Sequence, residues 1–226
     1  MSDTAGYVPL QRTPYRGHDL LAQAVLANSR PGDRIFEGGV SSGYFARVLV
    51  EQGRIVDGAE IDPAAAAEAR GVCERVVVGD LQQLDVAELS PAYDMLLFGD
   101  TLEHLPDPPA LLRRLRPRLK PDGVLVTSIP NVANWSVRLS LLVGRFRYTD
   151  RGLLDRTHLR FYTKRTAVEM LADAGFEAVS VTATVPVPGV RSPWLGRLAH
   201  AVGNLWPSLF GYTFVIVARP SQEAGI

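Results

Sequence analysis

The stretch that decides the fold is Arg34-Ile35-Phe36-Glu37-Gly38-Gly39-Val40-Ser41-Ser42-Gly43. Its first four residues predict a short strand, which the glycine- and serine-rich loop ends. Gly39 and Gly43 allow the backbone to turn sharply and to approach a ligand closely. A helix pattern follows near 43–52, and a helix N-terminus beside such a loop is a favourable place for a ligand. The stretch therefore predicts a strand–loop–helix unit with a ligand site in its loop.

Strand and helix patterns alternate through most of the chain. The predicted strands are 34–37, 55–61, 75–78, 93–98, 124–129, 177–184 and 212–218. Pro63, Asp107 with Pro108, and Thr163 mark the starts of intervening helices. Such alternation predicts an α/β fold, a Rossmann-like doubly wound sheet of seven strands, mostly parallel with an antiparallel last strand, and helices on both faces. Ligands of these folds bind at the carboxyl ends of the strands.

We expect a single domain over 1–226, with substrate-side cap segments near 131–162 and 186–209. Lys+Arg and Asp+Glu both number 24, so the global charge does not favour nucleic acid as a partner. The N-terminal residues lack a secretory pattern, and no apolar run is long enough for a transmembrane segment. The single cysteine, Cys73, cannot form an intramolecular disulfide, and we expect a reducing, cytoplasmic location.

Acidic residues occur at three successive predicted strand ends: Glu37, Glu60 and Asp80. Glu37 precedes the loop glycines, where it would repel a pyrophosphate but suit an ammonium group. The dinucleotide pattern G-x-G-x-x-G is absent, which disfavours an NAD-dependent oxidoreductase. Glu60 would accept from ribose hydroxyls, and Asp80 with Leu81 would contact an adenine. Each acid taken singly is more often a helix cap, but three at successive strand ends favour a ligand site.

These motifs resemble those of class I S-adenosylmethionine-dependent methyltransferases, over residues 30 to 219. Ser41 stands where that family usually has a third glycine. The resemblance implies S-adenosyl-L-methionine as cofactor, and it implies the following cofactor-binding residues: Glu37, Gly39, Ser41, Gly43, Glu60, Ile61, Asp80, Leu81 and Asp100. The segments Ser128-Ile129-Pro130-Asn131, Trp135 and 154–163 are similar to a branch often fused to glycosyltransferases in polysaccharide and natural-product pathways. They are also similar to the MetW family.

Asp100, Glu103 and His104 follow the fourth strand, and we expect them to share one face of a helix. His158 lies in the cap segment near the same edge. One interpretation is a general base, with His104 or His158 taking a proton and Glu103 or Asp155 orienting the ring. Another is a divalent metal ion bound by Asp100, Glu103, His104 and His158. In the third, these side chains only brace the cap.

The acceptor side is basic and apolar. Residues 131–165 contain eight arginines and lysines against two aspartates, which would attract an anionic acceptor or simply form a solvated face. The apolar segment 193–211 would cover the acceptor pocket, form a homodimer interface or touch a membrane. Residues 7–16 would close over the cofactor.

The leading hypothesis is O-methylation of a sugar or secondary-metabolite scaffold. The alternative is a MetW-like cofactor-binding partner protein that modulates another biosynthetic enzyme.

Overall fold

The computed structural model describes residues 17–185 and 193–221, which form one seven-stranded sheet flanked by α-helices. The strands are β1 (Arg34–Gly38), β2 (Ile55–Glu60), β3 (Arg75–Val78), β4 (Tyr93–Gly99), β5 (Leu119–Pro130), β6 (Phe176–Ala183) and β7 (Thr213–Pro220). The helices are α1 (Gly17–Ala27), α2 (Tyr44–Glu51), α3 (Pro63–Ala69), α4 (Pro108–Leu115), α5 (Trp135–Leu142), α6 (Lys164–Asp173), α7 (Pro193–Leu205) and α8 (Pro207–Phe210). The predictions for 7–16 and 186–192 lie outside the described residues.

The strand order is β3-β2-β1-β4-β5-β7-β6. Strands β1 to β5 are paired in parallel, and β7 runs antiparallel to both of its neighbours, β5 and β6. The predicted fold class, including the antiparallel last strand, is confirmed. The carboxyl ends of β1 to β4 consequently lie side by side at one edge of the sheet.

Hydrophobic cores lie on both faces of the sheet. Ile35 joins a buried cluster with α1 and α2, whereas its neighbour Phe36 points to the opposite face and packs with residues of α4 and α6. This alternation follows from the period of two along a strand. Burial on both faces fixes the register of β1, because a shift of one residue would exchange the two sets. The loop after β1 is therefore held rigidly at the carboxyl edge.

The segment Pro121-Asp122-Gly123, which precedes the predicted strand 124–129 and has the composition of a turn, lies inside β5. The pairing shifts there, because Tyr93 is opposite Leu119 whereas Met95 is already opposite Val124. The turn residues thus form an irregularity in β5 instead of preceding it. Helix starts at Asp107 and Thr163 are confirmed, with both side chains accepting a backbone N–H of the first turn.

A buried carboxylate joins the amino ends of the central strands. Asp57 in β2 is 1% exposed and accepts hydrogen bonds from Arg34, Ser90 and Tyr93 at 2.9, 2.6 and 3.0 Å. Four donor–acceptor contacts, counting a second one from Arg34 at 3.1 Å, compensate the loss of water around this charge. Glu74, which is 58% exposed, binds the same guanidinium at 2.7 Å.

Asp57→Ala should lower the free energy of unfolding by about 3 kcal/mol, because it leaves the Tyr93 hydroxyl and the Arg34 guanidinium without their buried acceptor. The matched control is Glu74→Ala, which removes an exposed partner of Arg34 and should cost less than about 1 kcal/mol. Urea unfolding followed by circular dichroism measures both. Equal losses in the two variants would contradict the assignment of the stabilisation to Asp57.

Candidate functional site at the carboxyl edge of the sheet

A cavity of about 310 Å³ opens at the carboxyl ends of β1 to β4. It is lined by Gly39, Ala59, Glu60, Ile61, Gly79, Asp80, Leu81, Thr101, His104, Leu105 and Pro106. Six of these were singled out from the sequence as site residues: Gly39, Glu60, Ile61, Asp80, Leu81 and His104. The other five, Ala59, Gly79, Thr101, Leu105 and Pro106, were not, although each lies within three residues of a predicted strand end or of His104. Glu37, Ser41, Gly43 and Asp100 are not among the lining residues.

The Glu60 carboxylate connects two turns at the rim of this cavity. One oxygen accepts the backbone N–H of Ser41 at 2.8 Å, and the other accepts that of Asp62 at 2.9 Å. Each carboxylate oxygen has a second acceptor position. Glu60 is therefore held in place by the fold and keeps acceptor capacity for donors inside the cavity.

Ser41 has a left-handed backbone with φ of 57°, which explains why glycine would be favoured there. The conformation costs a non-glycine residue roughly 1–2 kcal/mol. The hydrogen bond from Ser41 N to Glu60 helps to hold it. The Ser41 hydroxyl is buried and has no hydrogen-bond partner. The loop thus keeps its geometry despite the substitution and presents one extra polar group.

Glu37, at the end of β1, has a buried carboxyl group whose loss of water is not compensated by hydrogen bonds. Its Oε2 has no hydrogen-bond partner, and burial raises the pKa of Glu37 to about 8. A cation or a hydrogen-bond donor placed against this oxygen would favour the charged form again. The side chain therefore suits a ligand with an ammonium group better than one with a phosphate.

Asp80 lines the cavity after β3, and its Oδ1 accepts the backbone N–H of Gln82 at 2.9 Å. This contact closes a local turn and is not the helix cap considered as an alternative for each strand-end acid, because no helix begins at Asp80. It occupies one acceptor position of the carboxylate, so the turn and ligand binding are compatible at Asp80.

The prediction that Asp100, Glu103 and His104 begin one helix is wrong. Asp100 has φ of 47°, and only Leu102–His104 form a helical turn, of the 3₁₀ type. The Ser128 hydroxyl accepts the N–H of Asp100 and donates to its carboxylate, both at 2.9 Å. This closed pair of contacts stabilises the left-handed backbone, which aspartate tolerates better than most residues. Asp100 is thereby fixed at the end of β4 instead of continuing into a helix.

Glu103, His104 and His158 come together beside the cavity. One nitrogen or oxygen from each lies within 4.8 Å of the others, and Asp100 does not join this group. The side chains of His158 and Glu103 are 6% and 1% exposed, with Nε2 and Oε1 3.9 Å apart. Neither oxygen of Glu103 has a hydrogen-bond partner. Burial and nearby Asp100 raise the pKa of Glu103 well above its ordinary value, and burial with the neighbouring His104 lowers the pKa of His158.

Glu103 also supports the cap through its backbone. Its carbonyl oxygen accepts the N–H groups of Leu159 and Arg160 at 2.9 and 3.0 Å. The bracing interpretation is therefore correct for the main chain of Glu103. It does not account for the carboxyl group of Glu103, which has no hydrogen-bond partner.

His104 is oriented by a connection that the sequence did not predict. Its Nδ1 lies 3.2 Å from the carbonyl oxygen and 3.1 Å from the hydroxyl of Thr157. That hydroxyl donates to Asp155 at 2.6 Å, so it can only accept from the ring. Nδ1 must then carry the proton, and Nε2 of neutral His104 is left with a lone pair. Asp155 thus orients the ring as anticipated, but through Thr157.

Glu37→Gln tests the state of the buried carboxyl. In the folded protein the pKa of Glu37 is about 8 against an ordinary 4.5, so the stability tied to its proton is complete below 4.5 and is lost as the pH rises through about 8. Glutamine does not titrate. The variant should therefore exceed the parent in free energy of unfolding by about 1 kcal/mol near pH 5 and by about 4 kcal/mol near pH 8.

Urea unfolding over this pH range, without ligand, measures the difference. Glu68→Gln, at an exposed position of α3, is the control and should leave the pH dependence of stability unchanged. Parallel pH profiles for the parent and Glu37→Gln would show that burial does not hold Glu37 in its protonated form.

Comparison with known proteins gives the site a family. Residues 11–181 match the family model described as a methyltransferase domain. A Mycolicibacterium smegmatis protein named "Probable S-adenosylmethionine-dependent methyltransferase" is 30% identical over 165 residues, covering 72% of this chain and 59% of the relative. The trans-aconitate 2-methyltransferase of Deinococcus radiodurans is 30% identical over 176 residues, covering 74% and 67%. The ubiquinone biosynthesis O-methyltransferase of Histophilus somni is 31% identical over 114 residues, covering 46% and 48%.

The chain thus spans about half to two-thirds of the length of these relatives. Among solved structures, the magnesium protoporphyrin IX methyltransferase of Synechocystis, with bound S-adenosylhomocysteine, superposes with a TM-score of 0.62 at 19% identity. That match covers 96% of this chain and 90% of the other, and at this identity it shows the fold alone. The motifs, the cavity and the matched family agree, and the chain belongs to the class I S-adenosylmethionine-dependent methyltransferases.

Proposed function

We propose that this chain transfers a methyl group from S-adenosylmethionine to an oxygen atom of a small-molecule acceptor, such as a sugar or a secondary-metabolite scaffold. The observation that carries the proposal is the position of His104, which lines the cavity and has Nε2 available as a proton acceptor. An oxygen acceptor needs its proton removed during transfer, whereas the electrophilic methyl group comes from the sulfonium of the cofactor.

The residues around the cavity fit this cofactor. Glu60 has acceptor capacity for two ribose hydroxyls, and Asp80 with Leu81 provides an acceptor and an apolar wall for an adenine. Ile61, which lines the cavity and is 67% exposed in the absence of ligand, would be covered by the same ring. The unpartnered Glu37 oxygen, at the end of β1, would face the ammonium group.

A metal ion is the second candidate for assisting the transfer. It is favoured by one observation: the buried carboxyl of Glu103 has no partner and lies within 4.8 Å of two imidazoles. Carboxylate and imidazole are the ligands that several divalent ions share. In that case the metal would polarise the acceptor oxygen, and Glu103 would be ionised by its presence.

The acceptor is proposed to be anionic. Arg145 and Arg147 are exposed in the segment after α5, which also leads to His158. Other arginines of this region have structural partners: Arg160 donates to the Pro106 carbonyl, and Arg156 binds Asp150 at 2.6 Å. The excess charge available for an acceptor is therefore smaller than the sequence indicates. The relative named trans-aconitate 2-methyltransferase carries the name of a carboxylate acceptor.

Titration calorimetry with S-adenosylhomocysteine tests the cofactor. Binding is expected, and Glu60→Gln should weaken it by about tenfold or more, because a hydrogen bond to a charged group contributes roughly 1.5–3 kcal/mol. Glu68→Gln is the exposed control. Near pH 7 the parent should release a proton from Glu37 on binding, seen as a dependence of the heat on the buffer, and Glu37→Gln should not. Binding of NAD instead of S-adenosylhomocysteine would refute the proposal.

The general-base interpretation and the metal interpretation predict opposite effects of Glu103→Gln on methyl transfer. With His104 as base, transfer of labelled methyl to a panel of hydroxylated and anionic acceptors should survive both this substitution and chelation, and His104→Ala should lower it by about 100-fold or more. With a metal, chelation and Glu103→Gln should both abolish it. Titration of chelator-treated protein with Zn²⁺ or Mg²⁺ gives a readout that needs no acceptor. Cofactor binding without transfer to any acceptor would favour the partner-protein alternative.

A further inference from the structure

Large apolar side chains are exposed mainly in two segments of the described chain. Thirteen of the eighteen that the described residues expose lie within 135–148 and 198–212. Elsewhere in the described residues such side chains are scattered singly, which is normal for a protein surface. Concentration of exposed apolar groups in one region marks an interaction surface.

The first segment consists of α5 and the loop after it. Val137 is the one buried residue of α5. Leu139 and Leu142 are exposed by 55% and 82%, and the exposed rings of Phe146 and Tyr148 follow in the loop. A short helix that buries so little contributes almost nothing to the core. Its leucines are therefore not explained by folding.

The second segment consists of α7 and α8. Leu198, Val202 and Leu205 are spaced by four and three residues, so they form one stripe along α7, and all three are more than half exposed. Trp206, which follows at the junction with α8, is 69% exposed. The stripe is what an amphipathic helix presents to an apolar partner.

The two segments are neighbours in the fold, because their ends contact each other. The Asn134 side chain, which caps α5, donates to the carbonyl oxygens of Phe210 and Gly211. At the far end of the loop, Gly152 approaches the Tyr212 hydroxyl so closely that a Cβ there would lie 2.7 Å away. We define the cap face as the exposed residues of 135–151 and 198–212.

The charge of the cap face indicates which kind of partner it binds. Among its residues the cap face carries one acidic side chain, Asp150, which binds Arg156 at 2.6 Å, against the exposed arginines Arg138, Arg145, Arg147 and Arg151. A second copy of the chain would place the same positive patch against itself across a two-fold axis, which is repulsive. Exposed leucines flanked by arginines, with tryptophan and tyrosine beside them, match the boundary between anionic headgroups and acyl chains.

We propose that the cap face docks on an anionic phospholipid surface, beyond the proposed function and independently of it. No helix in the described part of the chain is long and apolar enough to cross a bilayer, so the contact is peripheral. The aromatic rings of Phe146, Phe161 and His158 contact one another in turn, at centroid distances of 5.9 and 6.0 Å. These rings connect the cap face with the cluster of Glu103, His104 and His158 beside the cavity. An acceptor held at the lipid surface would therefore reach the site directly.

The test is sedimentation of the full chain with vesicles of phosphatidylcholine alone and of equimolar phosphatidylcholine and phosphatidylglycerol. Binding to the mixed vesicles is expected, with a blue shift of tryptophan emission and weakening by added salt. Leu142→Gln should weaken binding by about tenfold. The pair Arg145→Gln and Arg147→Gln should weaken it by about fivefold per arginine.

Matched controls change the same chemistry elsewhere: Val179→Gln at an exposed position of β6, and Arg47→Gln in α2 with Arg70→Gln directly after α3. The controls should bind vesicles like the parent. Absence of sedimentation, equal binding to both kinds of vesicle, or equal losses in the controls would overturn the proposal. So would a dimer in solution that Leu142→Gln dissociates, because the occupant would then be a second copy. Calorimetry with S-adenosylhomocysteine on Leu142→Gln should be unchanged, which separates this proposal from the proposed function.

Discussion

The two hydrogen bonds accepted by the Glu60 carboxylate hold together the part of the molecule on which the candidate site depends. One comes from the loop after β1, at Ser41, and the other from the turn after β2, at Asp62. The Ser41 backbone is left-handed, so the loop reverses there and its amide needs a strong acceptor. A single side chain therefore fixes the relative position of two strand-end turns. The fold thus holds Glu60 in a fixed position at the rim of the cavity, where it can accept further hydrogen bonds.

The strand-end residues could be predicted from the sequence because the parallel direction of the strands follows from the alternation of strands and helices. Once parallel strands are assigned, their carboxyl ends must meet, and Glu60, Asp80 and His104 are brought to one edge. The Thr157–His104 contact could not be predicted in this way. These residues are 53 positions apart, and their meeting depends on a loop path that no local pattern specifies. The prediction that a helix begins at Asp100 was wrong for a related reason. The left-handed backbone of Asp100 depends on a contact with Ser128, which is 28 positions away.

The cap shows a different limit of sequence interpretation. Asn131 ends a segment that resembles one methyltransferase branch, and Asn134 directly precedes Trp135 of the same resemblance, which gives no indication of what either asparagine does. Both donate to the carbonyl oxygen of Gly211 at 2.8 Å and thereby join the end of β5 to the start of β7. Their role is to hold the cap on the sheet. Trp135, in the same segment, is instead exposed on the cap face. A single motif can thus contain both residues that stabilise the structure and residues that are exposed to a partner. Their burial and hydrogen bonds, which the sequence does not show, tell the two kinds apart.

The buried carboxyl groups show the same difference between residues that stabilise the fold and residues that suit a ligand. Asp57 lies near the amino ends of the strands and is fully compensated by Arg34, Ser90 and Tyr93. Glu37 and Glu103 lie at the carboxyl edge, equally buried, with oxygens that have no partner. Each unpartnered group costs the unliganded fold free energy, since neither water nor protein replaces the lost hydrogen bonds. A fold that compensates one carboxylate completely can evidently compensate others. The uncompensated pair is therefore not explained by folding, and the proposed cofactor ammonium group or a metal ion at that edge would supply the missing partner.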